Sequence, residues 1–242
     1  MAIAIVLAGG SGSRMNSDVA KQYLMLHDKE VLFYSLKTFQ DNENVTGIIL
    51  VTRPEDTEYC KNHIVEKYGF DKVKKICTGG KERYNSVYNG LRCVESISTD
   101  IDEEVVLIHD GARPFVSHKM INESVKMAST KKGACTVGVP VKDTIKIVVK
   151  QDGKIIGKET PDRSNLYQIQ TPQTFRYKLI MDAYEKMLKD ENHNITDDTM
   201  IVEQYAEIGC VVIDGSYENI KITTPEDLEF AEKIVEKNLE NF

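Results

Sequence analysis

The sequence lacks the features that would mark a secreted, membrane-spanning or nucleic-acid-binding protein. Its five cysteines are widely scattered and none forms a C-x-x-C pair. This predicts reduced thiols in a cytoplasmic protein and disfavours a disulfide framework or a zinc site. Positive charge is not in excess, since 31 lysines and arginines face 38 aspartates and glutamates, giving a formal net charge of −7. We therefore expect no general binding to nucleic acid or to an anionic membrane, although a local basic pocket is compatible with this charge.

The N-terminal stretch is apolar but short. Residues 1–8 have no basic leader and are followed at once by Gly9-Gly10, so they suit neither a membrane span nor a signal peptide. A buried first strand is expected there instead. The chain also has no repeat, low-complexity tract or long Pro/Gly/Ser linker, and 242 residues with 41% apolar content can bury a full core. These properties predict one domain over residues 1–242.

Apolar runs that alternate with helical patterns predict the fold class. Strands are expected at residues 2–7, 47–52, 73–77, 105–109, 134–139 and 210–213, and several of these runs are continuously apolar, as strands covered on both faces are. Helical spacing is found at residues 31–39 and 83–94, and Thr224-Pro225-Glu226-Asp227 is typical of a capped helix start. The alternation predicts an α/β fold with a mostly parallel sheet and helices on both faces.

One segment departs from the alternation. Residues 143–150 and 154–158 have strand-like sequences on either side of Asp152-Gly153, which is a strong signal of a tight hairpin turn. Inserted in an α/β domain, such a hairpin would project as a β-arm, at about residues 141–170. Its alternating apolar residues need a surface to cover them, and a second subunit is the obvious candidate. The sequence therefore predicts a homodimer.

The segment after the first predicted strand, residues 7–15, is rich in glycine. Glycines at this edge of an α/β sheet let backbone N–H groups close on a phosphate or a base. The loop is not a Walker A loop, and Met15 stands where a dinucleotide fingerprint would have its third glycine. Arg14 and Lys21 place two cations beside it, although either alone would be interpreted as a solvated surface residue.

Two later segments also follow predicted strands. In residues 78–86, Gly80 would allow close approach of a ligand and Ser86 would donate a hydroxyl, unless the segment is a plain strand-to-helix connection. The strand at residues 105–109 is followed by Asp110, which at the sheet edge could hold Mg²⁺ between phosphates. His109 is interpreted as a hydrogen-bonded structural residue and not as a catalytic base.

A polar and basic group in the second half of the chain completes the candidates. Its segments are Asp143-Thr144, Arg163, Thr171-Pro172-Gln173, Thr196-Asp197-Asp198 and Asn219-Ile220-Lys221. The pattern from Thr196 to Asp198 is equally typical of a helix cap followed by acids in the first turn. Arg163 and Lys221 could each be one side of a surface ion pair.

Taken together, these segments resemble the 2-C-methyl-D-erythritol 4-phosphate cytidylyltransferase family of the non-mevalonate isoprenoid pathway. Each motif alone is weak, but seven in the family's order, from residue 5 to about residue 231, are highly specific. The matching segments are LAGGSGSRM with KQY, GGKERYNSV, HDGARPF, PVKDTIK, TPDRSNLYQIQTPQTF, TDD and ENIKITTPEDL. Three positions depart from the family's usual residues: Ala20 replaces a proline, Tyr167 a tryptophan and Gly111 an alanine.

The resemblance implies a Rossmann-like nucleotidyltransferase domain with a dimerising β-arm and Mg²⁺ as cofactor. The implied reaction transfers CMP from CTP to 2-C-methyl-D-erythritol 4-phosphate and releases pyrophosphate. By motif position, Arg14 and Lys21 would stabilise the reacting α-phosphate, and Asp110 would sit at the metal. The nucleotide would be bound by Ala8, Gly9, Gly10, Gly12, Gly80, Ser86, Asp110 and Gly111. The acceptor would be bound by Thr171, Thr196 and Lys221 and, from the partner subunit, by Thr144 and Arg163.

This chemistry asks the protein for positioning and for charge, since the acceptor phosphate oxygen attacks directly and no protein nucleophile is needed. Three other interpretations are weighed against it. A ribitol 5-phosphate cytidylyltransferase would suit Tyr167, but segments such as GGKERYNSV and HDGARPF are more similar to the methylerythritol enzymes. A catalytically inactive nucleotide-binding scaffold is disfavoured by the joint presence of the charged site residues. A sugar-nucleotide glycosyltransferase usually has Asp-x-Asp where this chain has His109-Asp110-Gly111.

Overall fold

The computed structural model describes residues 1–10 and 20–238, and its centre is a seven-stranded mixed sheet. The order across the sheet is β11-β7-β10-β6-β1-β4-β5, and every neighbouring pair is parallel except the two that β10 makes with β6 and β7. The predicted mostly parallel sheet is thus confirmed. The strands are β1 (Ala2–Ala8), β2 (Met25–Leu26), β3 (Lys29–Glu30), β4 (Val45–Thr52), β5 (Val73–Thr78), β6 (Val105–Asp110), β7 (Ala134–Pro140), β8 (Ile147–Gln151), β9 (Lys154–Glu159), β10 (Tyr167–Arg176) and β11 (Val211–Asp214).

Helices cover both faces of the sheet, as predicted. They are α1 (Val31–Asp41), α2 (Thr57–Tyr59, continued by a π-helical segment Cys60–Glu66), α3 (Arg83–Val94), α4 (His118–Ala128), α5 (Tyr177–Met187), α6 (Asp198–Tyr205) and α7 (Pro225–Lys237). Thr224 caps α7 through the backbone N–H of Asp227, and Pro225 is its first residue. The start signal in the sequence is therefore confirmed, because the hydroxyl pairs an N–H that the helix itself leaves without a partner.

The core consists of two apolar layers, one on each side of the sheet. Alternate residues of β1 point to opposite faces, so Ala4 and Val6 pack in one layer while Ile3 and Ile5 pack in the other. The first layer is formed with α1, α4 and α7, and the second with α3, α5 and α6. Burial on both faces explains why β1 and β6 have continuously apolar sequences.

Strand β10 is absent from the strands predicted from the sequence. Its residues Gln170, Thr171, Gln173 and Thr174 are polar, yet all are buried. They are hidden because β10 lies between β6 and β7 in the middle of the sheet, with helices on both sides. A polar stretch with a proline does not have the apolar pattern by which a central strand is usually predicted.

The β8–β9 hairpin projects from the domain between β7 and β10. Its two turn residues, Asp152 and Gly153, have φ values of 51° and 72°, which is the left-handed geometry of a tight hairpin turn. Every residue of both strands is exposed in the single chain. Its apolar side chains are between 42% and 71% exposed: Ile145, Ile147, Val148, Val149, Ile155 and Ile156.

Two further observations apply to the described ranges, residues 1–10 and 20–238. All five cysteines lie within them, and none is disulfide-bonded. No helix in these ranges combines the length and the apolar character needed to cross a bilayer.

Candidate active site

A cleft opens where the order of strands reverses. The chain runs outward from β1 to β4 and β5 and then returns to β6 on the other side of β1, and ligands of open α/β sheets bind at the carboxyl ends of the strands at such a point. Leu7 of β1 is in register with Asp110 of β6. The cleft has a volume of about 360 Å³. The predicted site residues that line it are Gly9, Gly10, Lys21, Gly80, Ser86, Asp110 and Lys221.

The β1 wall of the cleft is closed by a short 3₁₀ helix, Lys21–Tyr23. Gln22 fixes this helix to the strand, since its Nε2 donates a hydrogen bond of 2.6 Å to the carbonyl of Ala8. Lys21 is only 9% exposed although its side chain lines the cleft. A Cβ on Gly10 would lie 3.8 Å from the Cε of Lys21, so the lysine runs alongside the glycine turn.

The α3 wall begins with a turn that only glycine fits. A Cβ on Gly80 would lie 2.3 Å from the Cβ of Asn85, and the Gly80 N–H donates a 3.0 Å hydrogen bond to the Oγ of Ser86. Glu82 and Asn85 form a capping box that starts α3 at Arg83. The first helical turn therefore presents the Ser86 hydroxyl and the Arg83 guanidinium to the cleft.

Asp110 is surrounded by three cations: Arg113 lies three residues further along the chain, and Arg83 and Lys221 come from distant parts of it. Its carboxylate lies 2.7 Å from the Nζ of Lys221, 3.5 Å from the Nε of Arg83 and 3.9 Å from the Nε of Arg113. Burial alone would raise the pKa of Asp110, but Arg83, Lys221 and Arg113 hold that pKa well below its usual range. The cleft thus contains an ionised carboxylate within a predominantly positive field.

A buried hydrogen-bond chain holds Asp110 from behind. The backbone N–H of Asp110 donates to the Oγ1 of Thr171 at 3.1 Å, and that oxygen is 2.9 Å from the Nδ1 of His109. The Nε2 of His109 is 3.1 Å from the carbonyl of Arg113, so it carries the proton, and Nδ1 accepts from the Thr171 hydroxyl. Burial lowers the pKa of His109 to about 4, which keeps the ring neutral. The structure agrees with the interpretation of His109 as a hydrogen-bonded structural residue.

Arg83 joins the cleft to a carboxylate outside it. Its Nη2 lies 2.7 Å from the Oδ2 of Asp198, and the other oxygen of Asp198 accepts a 2.5 Å hydrogen bond from the hydroxyl of Tyr184. Asp198 and Tyr184 are both fully buried. The Asp198 and Asp110 carboxylates raise the pKa of Arg83 above its ordinary value, although burial opposes them.

Several predicted site residues lie away from the cleft within one chain. Ala8 is buried at the end of β1, and Thr171 lies behind Asp110. Gly111 packs against β1, since a Cβ on it would be 2.9 Å from the Leu7 carbonyl. Thr196 is exposed just before α6, with its hydroxyl 3.7 Å from the sulfur of Met200. Thr144 and Arg163 are exposed near the arm, and Arg163 donates to the carbonyl of Lys142 at 2.7 Å. Gly12 and Arg14 lie outside the described residues.

The sequence alone predicts no role for Arg83, Arg113 or Gln22, and it indicates Asp198 only as a member of the candidate segment Thr196-Asp197-Asp198. Arg83 and Arg113 lie in the candidate segments that contain Gly80 and Asp110. One local signal could have identified Arg83, because a cation at the first position of a helix opposes the helix dipole and requires an anion nearby. Asp198 is not the cap of α6, since Asp197 accepts from the backbone N–H of Met200.

The chemistry of the cleft suits a metal ion whose ligands come partly from the protein and partly from substrate phosphates. In the described part of the chain, no three His, Cys, Asp or Glu side chains are grouped as a metal site would require. Asp110 nevertheless offers an ionised oxygen ligand to a cleft with room for phosphates. Mg²⁺ commonly binds through one or two carboxylates, with substrate phosphates and water supplying the other oxygens.

Comparisons with known proteins agree on one family. A family model described as 2-C-methyl-D-erythritol 4-phosphate cytidylyltransferase matches residues 2–237. A protein of that name from Clostridioides difficile (strain 630) is 50% identical over 231 residues, which is 96% of this chain and 92% of the relative. One from Lachnoclostridium phytofermentans is 48% identical over 235 residues, covering 97% and 96%. The crystal structure of 4-diphosphocytidyl-2C-methyl-D-erythritol synthase from Anaerococcus prevotii aligns with a TM-score of 0.79 at 35% identity, covering 97% of this chain and 95% of that one.

Proposed function

Because the chain belongs to the 2-C-methyl-D-erythritol 4-phosphate cytidylyltransferase family, we propose that the cleft between β1, α3 and β6 is its active site. The protein is a CTP-dependent nucleotidyltransferase that transfers CMP to 2-C-methyl-D-erythritol 4-phosphate in isoprenoid biosynthesis. The ribitol phosphate alternative is not favoured, since relatives at 46–50% identity carry the methylerythritol name.

One observation carries the assignment of the site. Lys21, Arg83 and Lys221 converge with Asp110 on a cleft that is also lined by Gly9, Gly10 and Gly80. Glycine N–H groups and a helix start suit a nucleotide's base, ribose and phosphates, and the cations suit the charge of a triphosphate. Gly9, Gly10, Gly80 and Ser86 are therefore proposed to bind the nucleotide. Ala8 and Gly111 would shape its floor from beneath.

In the proposed reaction, an oxygen of the acceptor phosphate attacks the α-phosphorus of CTP. A new P–O bond forms as the bond between the α-phosphorus and the bridging oxygen breaks, and pyrophosphate leaves with the bonding pair. Negative charge builds on the α-phosphate and on the leaving group, so cations fixed beside them lower the barrier. Lys21 is proposed for this role, together with Arg14. An attacking phosphate is already ionised near neutral pH, so no general base is required.

Asp110 is the residue proposed to hold Mg²⁺. When bound, the ion would neutralise phosphate charge and orient the triphosphate. The residues of the chain have a separate task, since Lys221 and Arg83 keep the Asp110 carboxylate ionised and in place. Lys221 also lines the cleft, and it is therefore proposed to contact an acceptor phosphate there.

We further propose that the β-arm pairs two copies of the chain. The arm's apolar side chains are exposed in one chain, and burying them in a second copy would remove them from water. Thr144 and Arg163, which do not line their own chain's cleft, would then bind the acceptor phosphate in the partner's cleft. Thr171 and Thr196 are retained as acceptor-side candidates, with Thr171 acting through its contact with Asp110.

The first test is pyrophosphate release from purified protein with CTP and Mg²⁺. The two acceptors compared would be 2-C-methyl-D-erythritol 4-phosphate and ribitol 5-phosphate, with a reaction lacking acceptor as the control. We expect release with the methylerythritol phosphate alone. Preference for ribitol phosphate, or release without acceptor, would contradict the proposed function.

The arm is tested by subunit mixing. Lys21→Ala impairs the cleft, and Arg163→Ala impairs the residue proposed to reach the partner's cleft. Mixed dimers would contain one cleft with both residues intact, so part of the activity should return after subunit exchange. Exchange verified by native mass spectrometry without any recovery would show that each site is built within one chain.

A further inference from the structure

We propose that Asp198 is a positioning residue of this active site, and that it acts by holding the Arg83 guanidinium at the cleft. The inference rests on the proposed function, because it assigns a task to a residue behind the same cleft. Asp198 does not line the cleft. It is the first residue of α6 and belongs to the candidate segment Thr196-Asp197-Asp198, whose pattern is equally typical of a helix cap followed by acids.

Three contacts immobilise Asp198. Its Oδ1 accepts from the Tyr184 hydroxyl at 2.5 Å, its Oδ2 pairs with the Nη2 of Arg83 at 2.7 Å, and its backbone N–H donates to the Oε1 of Gln173 at 2.9 Å. Asp198 and Tyr184 are wholly shielded from solvent. A carboxylate fixed at both oxygens has no freedom to follow a moving arginine, so the arginine is fixed to it.

Arg83 thereby contacts two carboxylates, those of Asp198 and Asp110. Nη2 is bound to Asp198 at the back, while Nε lies 3.5 Å from Asp110 at the front, where the side chain is 30% exposed and lines the cleft. The rear contact is the shorter of the two. When phosphate oxygens enter the cleft, the donors at the front of the guanidinium can bind them while Asp198 retains the rear. The planar fork of arginine suits this double engagement, which a lysine could not provide.

The neighbouring residue shows that the carboxylate of Asp198 is not needed to start α6. Asp197 performs that task, because its Oδ1 accepts from the backbone N–H of Met200 at 2.9 Å, while its Oδ2 accepts from the hydroxyl of Thr199 and from the Nε2 of Gln173. Both acids contact Gln173, but of the two it is Asp198 whose carboxylate pairs with Arg83. This gives a matched pair of variants.

The experiment compares Asp198→Asn with Asp197→Asn in the full-length protein, by pyrophosphate release at varied CTP and by thermal unfolding. Asp198→Asn keeps the shape but removes the charge, and its kcat/KM for CTP should fall by about tenfold to a hundredfold, the range found when a residue that orients a site group is lost. Asp197→Asn should lower the unfolding temperature but leave kcat/KM within about threefold of wild type. Equal kinetic losses in the two variants would overturn the inference.

A second comparison tests whether Asp198 acts through Arg83. In an Arg83→Ala background, adding Asp198→Asn should change kcat/KM by less than about twofold, because the group that it positions is already gone. A loss as large as in the wild-type background would refute this route. If Asp198→Asn does not fold, Tyr184→Phe decides. It removes one hydrogen bond to the carboxylate, and an unchanged kcat/KM would refute the inference.

Failure of the proposed function would appear differently. Wild-type protein and Asp197→Asn would then release no pyrophosphate with methylerythritol phosphate. An active wild type with no kinetic difference between Asp198→Asn and Asp197→Asn would overturn only the role of Asp198.

Discussion

Replacing Thr171 by valine should destabilise the protein, because it exchanges one buried hydroxyl for a methyl group that cannot hydrogen-bond. Valine has nearly the shape of threonine, and Thr171 is 4% exposed, so water cannot take the place of the hydroxyl. Two partners would lose their hydrogen bonds: the backbone N–H of Asp110, now at 3.1 Å, and the Nδ1 of His109, now at 2.9 Å. A buried polar group left without a partner costs about 1–3 kcal/mol. The free energy of unfolding should therefore fall by about 2–6 kcal/mol.

Thr171→Ser is the matched control, because it keeps the hydroxyl and removes only a methyl group. Loss of one buried methyl costs about 1 kcal/mol. Urea unfolding followed by circular dichroism gives both values on one scale, with equal m-values showing that the unfolded states are comparable. If the valine variant is as stable as the serine variant, the hydroxyl does not support Asp110 and His109, and the buried chain behind the carboxylate is refuted.

Three further perturbations have defined outcomes. Lys21→Ala should lower turnover about a hundredfold or more, because Lys21 lines the cleft as a cation. Lys233→Ala, on the exposed side of α7, is the control and should not lower it. Near-normal turnover of Lys21→Ala would exclude a role of Lys21 in stabilising the reacting phosphate. Gly111→Ala should lower the free energy of unfolding in urea by about 1–3 kcal/mol, because its Cβ would lie 2.8 Å from the Cδ1 of Leu32 and 2.9 Å from a backbone carbonyl. Gly209→Ala is the control, since a Cβ there meets no atom within 4 Å. Equal stabilities of the two variants would contradict the close packing around Gly111. Burial lowers the pKa of His109 in the folded protein to about 4, below its usual value near 6.5. The contribution of His109 to the free energy of unfolding is therefore fully present above about pH 6.5 and falls by up to about 3 kcal/mol as the pH drops to about 4. The His109→Asn variant should show a shallower dependence of stability on pH in that range.

The parts of the fold that were predicted correctly are those with local causes. Helix α3 begins and ends at the predicted residues, Arg83 and Val94, because its apolar spacing and the preceding glycine turn are both local. Strands β1 and β6 have apolar sequences because each is covered on both faces. Asp110 could be predicted at the edge of the sheet because it ends one of these strands.

The parts that were not predicted depend on distant partners. Arg83 and Asp198 are 115 residues apart, so neither residue's neighbours indicate the ion pair between them. Strand β10 has polar side chains that are buried only because other parts of the chain cover them, for example where the Nε2 of Gln173 donates to Asp197. Gly111 looks like a harmless replacement for alanine in the sequence, but Leu32 and Leu7 approach it closely.

The group of cations around Asp110 is completed only by a late part of the sequence. Arg83, Asp110 and Arg113 are made in the first half of synthesis, but Lys221 is supplied by the segment between β11 and α7, near the end. That segment is anchored when the backbone N–H of Ile222 donates to the carbonyl of Ala112 beside the cleft. A chain that ends before Lys221 therefore lacks one of the three cations around Asp110, and it also lacks α7, which packs in one of the two core layers. The charge around Asp110 and the packing of the last helix are thus completed by the same late part of the chain.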